Sequence, residues 1–77
     1  MRVRCFGRLR DVVGDTWEVD VPPHVADSEA LRAWFGQEHP ALLDAAVRMA
    51  LDDRMLAGCE PLEAAREVAF LPPVSGG

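Results

Sequence analysis

Six residues at the end of the printed sequence have the types and the spacing of an acyl donor. They are Pro72, Pro73, Val74, Ser75, Gly76 and Gly77. Neither proline has an N–H with which to extend a sheet, and consecutive prolines favour a stiff polyproline II geometry that points away from a domain. At about 3.3 Å per residue, six residues span at most roughly 20 Å, enough to thread a channel in another protein. The sequence therefore predicts an extended tail over residues 72–77.

The reactive group of this tail is expected to be the α-carboxylate of Gly77. Such a carboxylate is ionised at neutral pH and is a poor electrophile, so it needs activation, for example as an acyl-adenylate made from ATP. Glycine then offers the least hindered acyl carbon and lets the backbone of an enzyme close around the tail. We predict that Gly77 carries the chemistry and that residues 72–76 lie in partner active sites. The simpler alternative is an inert end of small residues.

The remaining chemically capable residues form no recognisable catalytic or metal-binding set. Cys5 and Cys59 are too few for a disulfide framework, and His24 and His39 lack ligand spacing to either cysteine. Cys5 lies in an apolar strand, whereas Cys59 lies in a loop-like stretch. We therefore predict no metal site and no cofactor bound by this chain, which is better interpreted as a co-substrate than as an enzyme.

Composition narrows the classes of partner. The formal net charge is −5, which argues against nucleic acid or an anionic membrane because both favour a basic patch. No apolar run approaches the ~20 residues of a membrane span, and the Arg-rich amino end lacks the apolar segment of a signal peptide. We expect a cytoplasmic protein with neither nucleic acid nor membrane as partner.

The elements that must position the tail can be predicted from periodicity. Period-2 alternation indicates strands, and spacings of three and four indicate helices. The predicted strands are Arg2–Phe6, Thr16–Val21, Val47–Leu51, Arg54–Ala57 and Glu67–Leu71. The predicted helices are a short one through Leu9, Val12 and Val13, a main one that begins after Asp27 or Ser28 with the stripe Ala30, Leu31, Trp34 and Phe35, and a short one through Leu42 and Leu43. This order predicts an α+β domain over residues 1–71, with one helix layer on one sheet.

Two stretches of the sequence resemble a known family. The end PPVSGG after Glu67–Leu71, and the run FGRLRDVVG from Phe6 to Gly14, are similar to the small subunit of molybdopterin synthase (the MoaD family of ubiquitin-like sulfur carriers). The resemblance implies a ubiquitin-like β-grasp, in which one mixed sheet packs on one main helix and the first and last strands run parallel at its centre. The chain departs from the family at Asp52, where an asparagine is usual, and before the last strand, where Asp-Gly-Asp is usual.

The resemblance also implies a function and its partners. An E1-like enzyme would adenylate Gly77 with ATP, and a sulfur donor such as a cysteine desulfurase or a rhodanese-like protein would convert the adenylate to a thiocarboxylate. The tail would then enter the large subunit of molybdopterin synthase, in a heterotetramer, and pass its sulfur to cyclic pyranopterin monophosphate. The alternatives are a carrier for thiamine or cysteine synthesis, a ubiquitin-like protein modifier, and a binding module with an inert tail.

A docking surface is predicted from the strand alternation. Val3, Cys5, Val68 and Phe70 should face the helix, which leaves Phe6, Ala69 and Leu71 on the opposite face of the sheet. If the first and last strands are parallel neighbours, Phe6 and Leu71 lie side by side near the start of the tail. We expect these two residues, with Met55 as an extension, to dock partner enzymes.

Overall fold

The computed structural model of the chain describes residues 1–73. Val74, Ser75, Gly76 and Gly77 lie outside the described residues, so the predicted extended course of the tail and the proposed boundary after residue 71 stay predictions. The elements, in chain order, are β1 (Arg2–Cys5), α1 (Leu9–Val12), β2 (Thr16–Glu18), α2 (Ser28–Gly36), a 3-10 helix (Pro40–Leu43), β3 (Arg48–Leu51), β4 (Arg54–Met55) and β5 (Glu67–Leu71).

The strands form one mixed five-stranded sheet in the order β2-β1-β5-β3-β4. β1 and β5 are parallel neighbours, with Val3 opposite Val68 and Cys5 opposite Phe70, while the other pairs are antiparallel. A parallel pair at the centre of an otherwise antiparallel sheet, with one main helix across one face, is the ubiquitin-like β-grasp. The predicted fold class is therefore confirmed.

The core lies between the sheet and α2. Val3, Val68 and Phe70 are completely buried, and Phe70 meets Phe35 of α2 edge-on at 5.5 Å between ring centroids. Aromatic pairs prefer this geometry, because the positive edge of one ring faces the negative face of the other. α2 begins where predicted, since the Asp27 side chain accepts a hydrogen bond from the N–H of Ala30 at 2.8 Å.

The predicted strand ends were less accurate than the strands themselves. β1 ends at Cys5 rather than at Phe6, because the chain turns at Gly7, whose φ is +56°. β2 ends at Glu18, opposite Arg2, rather than at Val21, although Val19 and Met1 still exchange two backbone hydrogen bonds at 2.9 and 2.7 Å. β3 begins one residue later than predicted and β4 ends two residues earlier, at Met55.

Ala69 differs from the expectation for an outward-facing residue. It lies on the open face of the sheet, yet only 9% of it is exposed, because Arg4 and Ala50 are its partners on the two neighbouring strands. The centre of the open face is therefore a floor of small residues between longer side chains.

The described part of the chain contains neither a membrane-spanning helix nor a cluster of metal-ligating side chains. No helix within residues 1–73 has the length and apolar character needed to cross a bilayer. Over the same residues, His, Cys, Asp and Glu form no group of three or more that could hold a metal ion.

Candidate functional site: the base of the tail

The tail starts where β5 loses its capacity to pair. Leu71 is the last paired residue of β5, opposite Arg48 on β3, and the N–H of Phe6 donates to the carbonyl of Phe70 at 3.1 Å on the other side. Pro72 and Pro73 follow, and without N–H groups they cannot continue either ladder. The central strand of the sheet therefore leads directly into the tail.

Gly7 sets the position of the first tail residue. Its φ of +56° lies in the left-handed region, and a Cβ added there would stand 2.8 Å from Cγ of Pro72. Glycine is required twice, once by its backbone conformation and once by the close approach of the proline ring. Because the ring is tied to the backbone, a larger residue at position 7 must displace the base of the tail.

A groove lies beside this point and is called the tail-base groove below. It encloses about 460 Å³. Its lining includes Arg8, Val12, Pro40, Leu43, Pro72 and Pro73. Val12 and Leu43 are 67% and 53% exposed. The sequence pattern had placed Val12 with Leu9 and Val13, and Leu43 with Leu42, in two short helices.

The predicted docking residues are only partly brought together. Phe6 and Leu71 follow the paired residues Cys5 and Phe70 and so lie next to each other, each half-buried. The guanidinium of Arg4 covers the Phe6 ring at 4.9 Å from its centroid. Met55 is 41% exposed on the edge strand β4, two strands from β5, and is separate from this pair. The docking role of all three residues remains a prediction.

The two cysteines differ in reactivity for a structural reason. Cys5 is buried beneath α2, and this burial, with a smaller contribution from the charge of Asp15, raises the pKa of its thiol to about 11. A thiol with such a pKa is protonated at neutral pH and is a poor nucleophile. Cys59 is exposed, as expected from its loop position.

Three polar anchors of the scaffold were missed from the sequence. Asp52 accepts hydrogen bonds from the N–H groups of Arg66 and Glu67, both at 3.0 Å, and so fixes the start of β5. The Ser28 hydroxyl accepts the N–H of Glu60 at 2.9 Å and holds the long loop against α2. Neither contact left a local signal, because the bonded residues lie 14 and 15 positions from Asp52 and 32 positions from Ser28.

The third anchor is Arg32 of α2. Its Nε donates to the carbonyl of Leu42 at 2.8 Å, and its Nη2 donates to those of Asp44 at 2.5 Å and Val47 at 2.6 Å. These bonds fasten the 3-10 helix and the approach to β3 onto α2. One side of the tail-base groove is therefore held rigidly.

Fold and site together define a class: a ubiquitin-like protein whose central strand β5 ends at the prolines Pro72 and Pro73. Comparison with known proteins gives the family. The model of the ThiS family matches residues 3–77, so the chain belongs to the ThiS family of ubiquitin-like sulfur carriers. Such carriers work with partner enzymes, an E1-like enzyme among them.

A solved structure agrees with this assignment. The chain is similar to the crystal structure of SAMP1 from Haloferax volcanii, with a TM-score of 0.74 and 28% sequence identity. The similarity covers 99% of this chain and 97% of that one. No curated protein matches the sequence.

Proposed function

We propose that this chain is the sulfur carrier of molybdopterin synthesis, the small subunit of molybdopterin synthase. The observation that carries the proposal is the PPVSGG sequence at the end of the central strand, with Pro72 seated against Gly7. Membership of the ThiS family supports the broader class of sulfur carrier. The narrower MoaD assignment rests on the resemblance of the tail and of the run from Phe6 to Gly14.

The proposed chemistry takes place at Gly77 in the active sites of partners. The Gly77 carboxylate attacks the α-phosphorus of ATP, which forms an acyl-adenylate and releases pyrophosphate. The persulfide of a sulfur donor, such as a cysteine desulfurase or a rhodanese-like protein, then displaces AMP and forms an acyl disulfide. A second thiol attacks the donor sulfur of this disulfide, which releases the thiocarboxylate on Gly77 and leaves a disulfide between the two thiols. In the heterotetramer with the large subunit, this sulfur passes to cyclic pyranopterin monophosphate. ATP and the acid–base groups belong to the partners, and the described residues of this chain serve as the rigid mount of the tail.

A second candidate function has specific support. The similarity to SAMP1 favours the alternative of a ubiquitin-like modifier, whose Gly77 would be joined to lysines of target proteins. A carrier for thiamine or cysteine synthesis would share the same activation step. The proteins that co-purify with this chain would distinguish the candidate functions. They would be a pterin-binding large subunit, covalently modified targets, or an enzyme of thiamine or cysteine synthesis.

Deletion of Gly77 tests the proposal directly. We expect the deletion, or one residue added after Gly77, to abolish ATP–pyrophosphate exchange with the E1-like enzyme of the same organism. The melting curve should be unchanged, because the described core side chains all lie between Val3 and Phe70. Wild-type exchange in the truncated chain would refute the role of Gly77.

Mass spectrometry supplies the covalent readout. Intact mass establishes whether the polypeptide ends at Gly77 in the cell, as the proposal requires. After incubation with the E1-like enzyme, ATP and a sulfur source, a fraction should be heavier by one oxygen-to-sulfur exchange located on Gly77. Sulfur found only on Cys5 or Cys59 would indicate a persulfide and contradict the mechanism.

A further inference from the structure

The tail-base groove is the strongest unassigned surface of the described chain. We propose that it docks the E1-like enzyme that receives the tail, through an apolar face at the mouth of that enzyme's tail channel and a carboxylate opposite Arg8. The inference rests on the proposed function, because its partner is the enzyme that activates Gly77. The tail-base groove is distinct from the predicted docking residues Phe6, Leu71 and Met55, which lie on the open face of the sheet.

The short reach of residues 74–77 brings the body of a partner close to this groove. Four residues separate Pro73 from Gly77, and fully extended they span at most roughly 13 Å at about 3.3 Å each. An enzyme whose reacting atoms meet Gly77 must therefore bring its body to within that distance of Pro73. Pro72 and Pro73 themselves line the groove, so a partner that encloses residues 74–77 approaches it.

The groove also concentrates exposed apolar surface. Val12, Leu43 and Met55 are the large hydrophobic side chains that stand exposed among residues 1–73, and the first two share this groove. Scattered exposed hydrophobic residues are ordinary, whereas a cluster of them marks an interaction site. With the two proline rings, Val12 and Leu43 form one apolar surface that continues into the tail.

Leu43 is held in place although more than half of it is exposed. Its side chain lies over Gly36, where a Cβ would overlap it. Arg32 binds the carbonyls of the flanking residues Leu42 and Asp44. A side chain already ordered in the free protein loses little conformational entropy on binding, which favours its use as an anchor.

The charged residues that line the groove indicate which sign of charge the partner surface should carry. Arg8 is exposed beside the groove and takes part in none of the ion pairs found within residues 1–73. The other charged residue that lines the groove, Asp44, uses one carboxylate oxygen to accept the N–H of Ala46 at 2.9 Å. A carboxylate of the partner is therefore the complementary group for Arg8, since opposite charges across an interface raise the association rate.

The test measures ATP–pyrophosphate exchange with the E1-like enzyme as the carrier concentration is varied. Leu43→Ser should raise the KM for the carrier about 30-fold, as is typical for an apolar anchor, with kcat at saturation retained because Gly77 is unchanged. Val12→Glu should act in the same direction, and Arg8→Glu should raise KM about fivefold, less so at high salt. Ala64→Glu, an exposed position before β5 and thus at the opposite end of that strand from the tail, is the control.

Melting curves of the variants separate docking from folding. Val12 and Arg8 are exposed, so their variants keep the core even if Leu43→Ser is destabilised over Gly36. If the wild type is active and all three variants have the wild-type KM, docking at the groove would be refuted while the proposed function would remain supported. No exchange with the wild-type chain would refute the proposed function and the docking together.

Two other possible occupants of the groove would give different experimental results. A wild-type dimer in sedimentation equilibrium that Val12→Glu dissociates, with KM unchanged, would assign the groove to a second copy and overturn the proposal. Methyl NMR signals of Val12 and Leu43 that move when residues 74–77 are removed would assign the groove to the tail of the same chain. Together with a wild-type KM in the three full-length variants, this result would also overturn the proposal.

Discussion

Replacement of Gly7 by alanine tests how the domain aims its tail. The φ of +56° at Gly7 costs a residue with a Cβ about 1–2 kcal/mol, and the new methyl would stand 2.8 Å from Cγ of Pro72. For a domain of this size, 1 kcal/mol lowers Tm by roughly 4–8 °C. With about 1 kcal/mol more for this close contact, the total cost of about 2–3 kcal/mol should lower the Tm of Gly7→Ala by roughly 10–20 °C.

The same substitution should impair activation beyond its effect on stability. The proline ring cannot rotate away as a flexible side chain would, so the methyl must displace the start of the tail. Misplacement of a reacting group by about 1 Å can cost up to roughly 100-fold in rate. We expect kcat/KM for ATP–pyrophosphate exchange to fall about 10- to 100-fold, measured well below Tm where the variant is folded.

A second substitution separates the contact from the backbone strain. Pro72→Ala removes Cγ, the atom nearest to the new methyl, and leaves Cβ at the ordinary contact distance of 3.9 Å. In that background Gly7→Ala should retain only the cost of its φ, so the two substitutions should couple by about 1 kcal/mol in a double-mutant cycle. Additive losses would show that the Gly7–Pro72 contact contributes nothing.

Gly58→Ala is the matched control. A Cβ at Gly58 would meet no atom within 4 Å and its φ is not positive, so the variant should be neutral or slightly stabilised, by about 0.4–1 kcal/mol. If Gly7→Ala melted like Gly58→Ala and supported wild-type exchange, the role assigned to Gly7 would be refuted.

Two further predictions concern the scaffold. Because burial raises the pKa of the Cys5 thiol from 9.0 to about 11, the folded state favours the protonated form, and the stability from this group is complete below pH 9 and lost as pH rises towards 11. The free energy of unfolding should fall by about 1.4 kcal/mol per pH unit between pH 9 and 11. Urea denaturation of Cys5→Val should not show this fall. The same pH dependence in both proteins would contradict a contribution from Cys5. Asp52→Ala should lose about 1–2 kcal/mol in the same assay, because the N–H groups of Arg66 and Glu67 lose their acceptor. Asp52→Asn should keep most of that stability, since asparagine tolerates the φ of 49° and retains an acceptor; equal losses in the two variants would exclude this role.

Local periodicity determined most of the fold. The alternation of β1 and β5 placed Val3, Cys5, Val68 and Phe70 on the buried face, and each is at most 2% exposed. The side-chain direction in a strand has a period of two whatever the strand pairs with, so this information resides in the sequence alone. The cap at Asp27 and the end of β5 before the prolines could also be predicted, because each depends only on residues that are close in sequence.

Strand lengths depended on neighbours that a sequence pattern does not contain. The alternation of residues 16–21 continues beyond Glu18, and Val19 and Val21 are half-buried as the pattern predicts. The regular register of β1 and β2 ends at Arg2 and Glu18, and one further pair of backbone hydrogen bonds joins Met1 and Val19. A strand end is thus a property of a pair, and single-sequence reasoning placed it three residues too far.

The sequence by itself determined that the last strand has a buried face and ends before Pro72 and Pro73, because prolines end sheet pairing wherever they occur. Only the tertiary structure decided what surrounds the base of the tail. Gly7 and Pro72 are 65 positions apart and meet because β1 and β5 are parallel neighbours, while Val12 and Leu43 share a groove because Arg32 fastens the 3-10 helix to α2. Contacts between residues so distant in the chain follow from the order in which strands and helices pack, and periodicity within one element carries no information about that order.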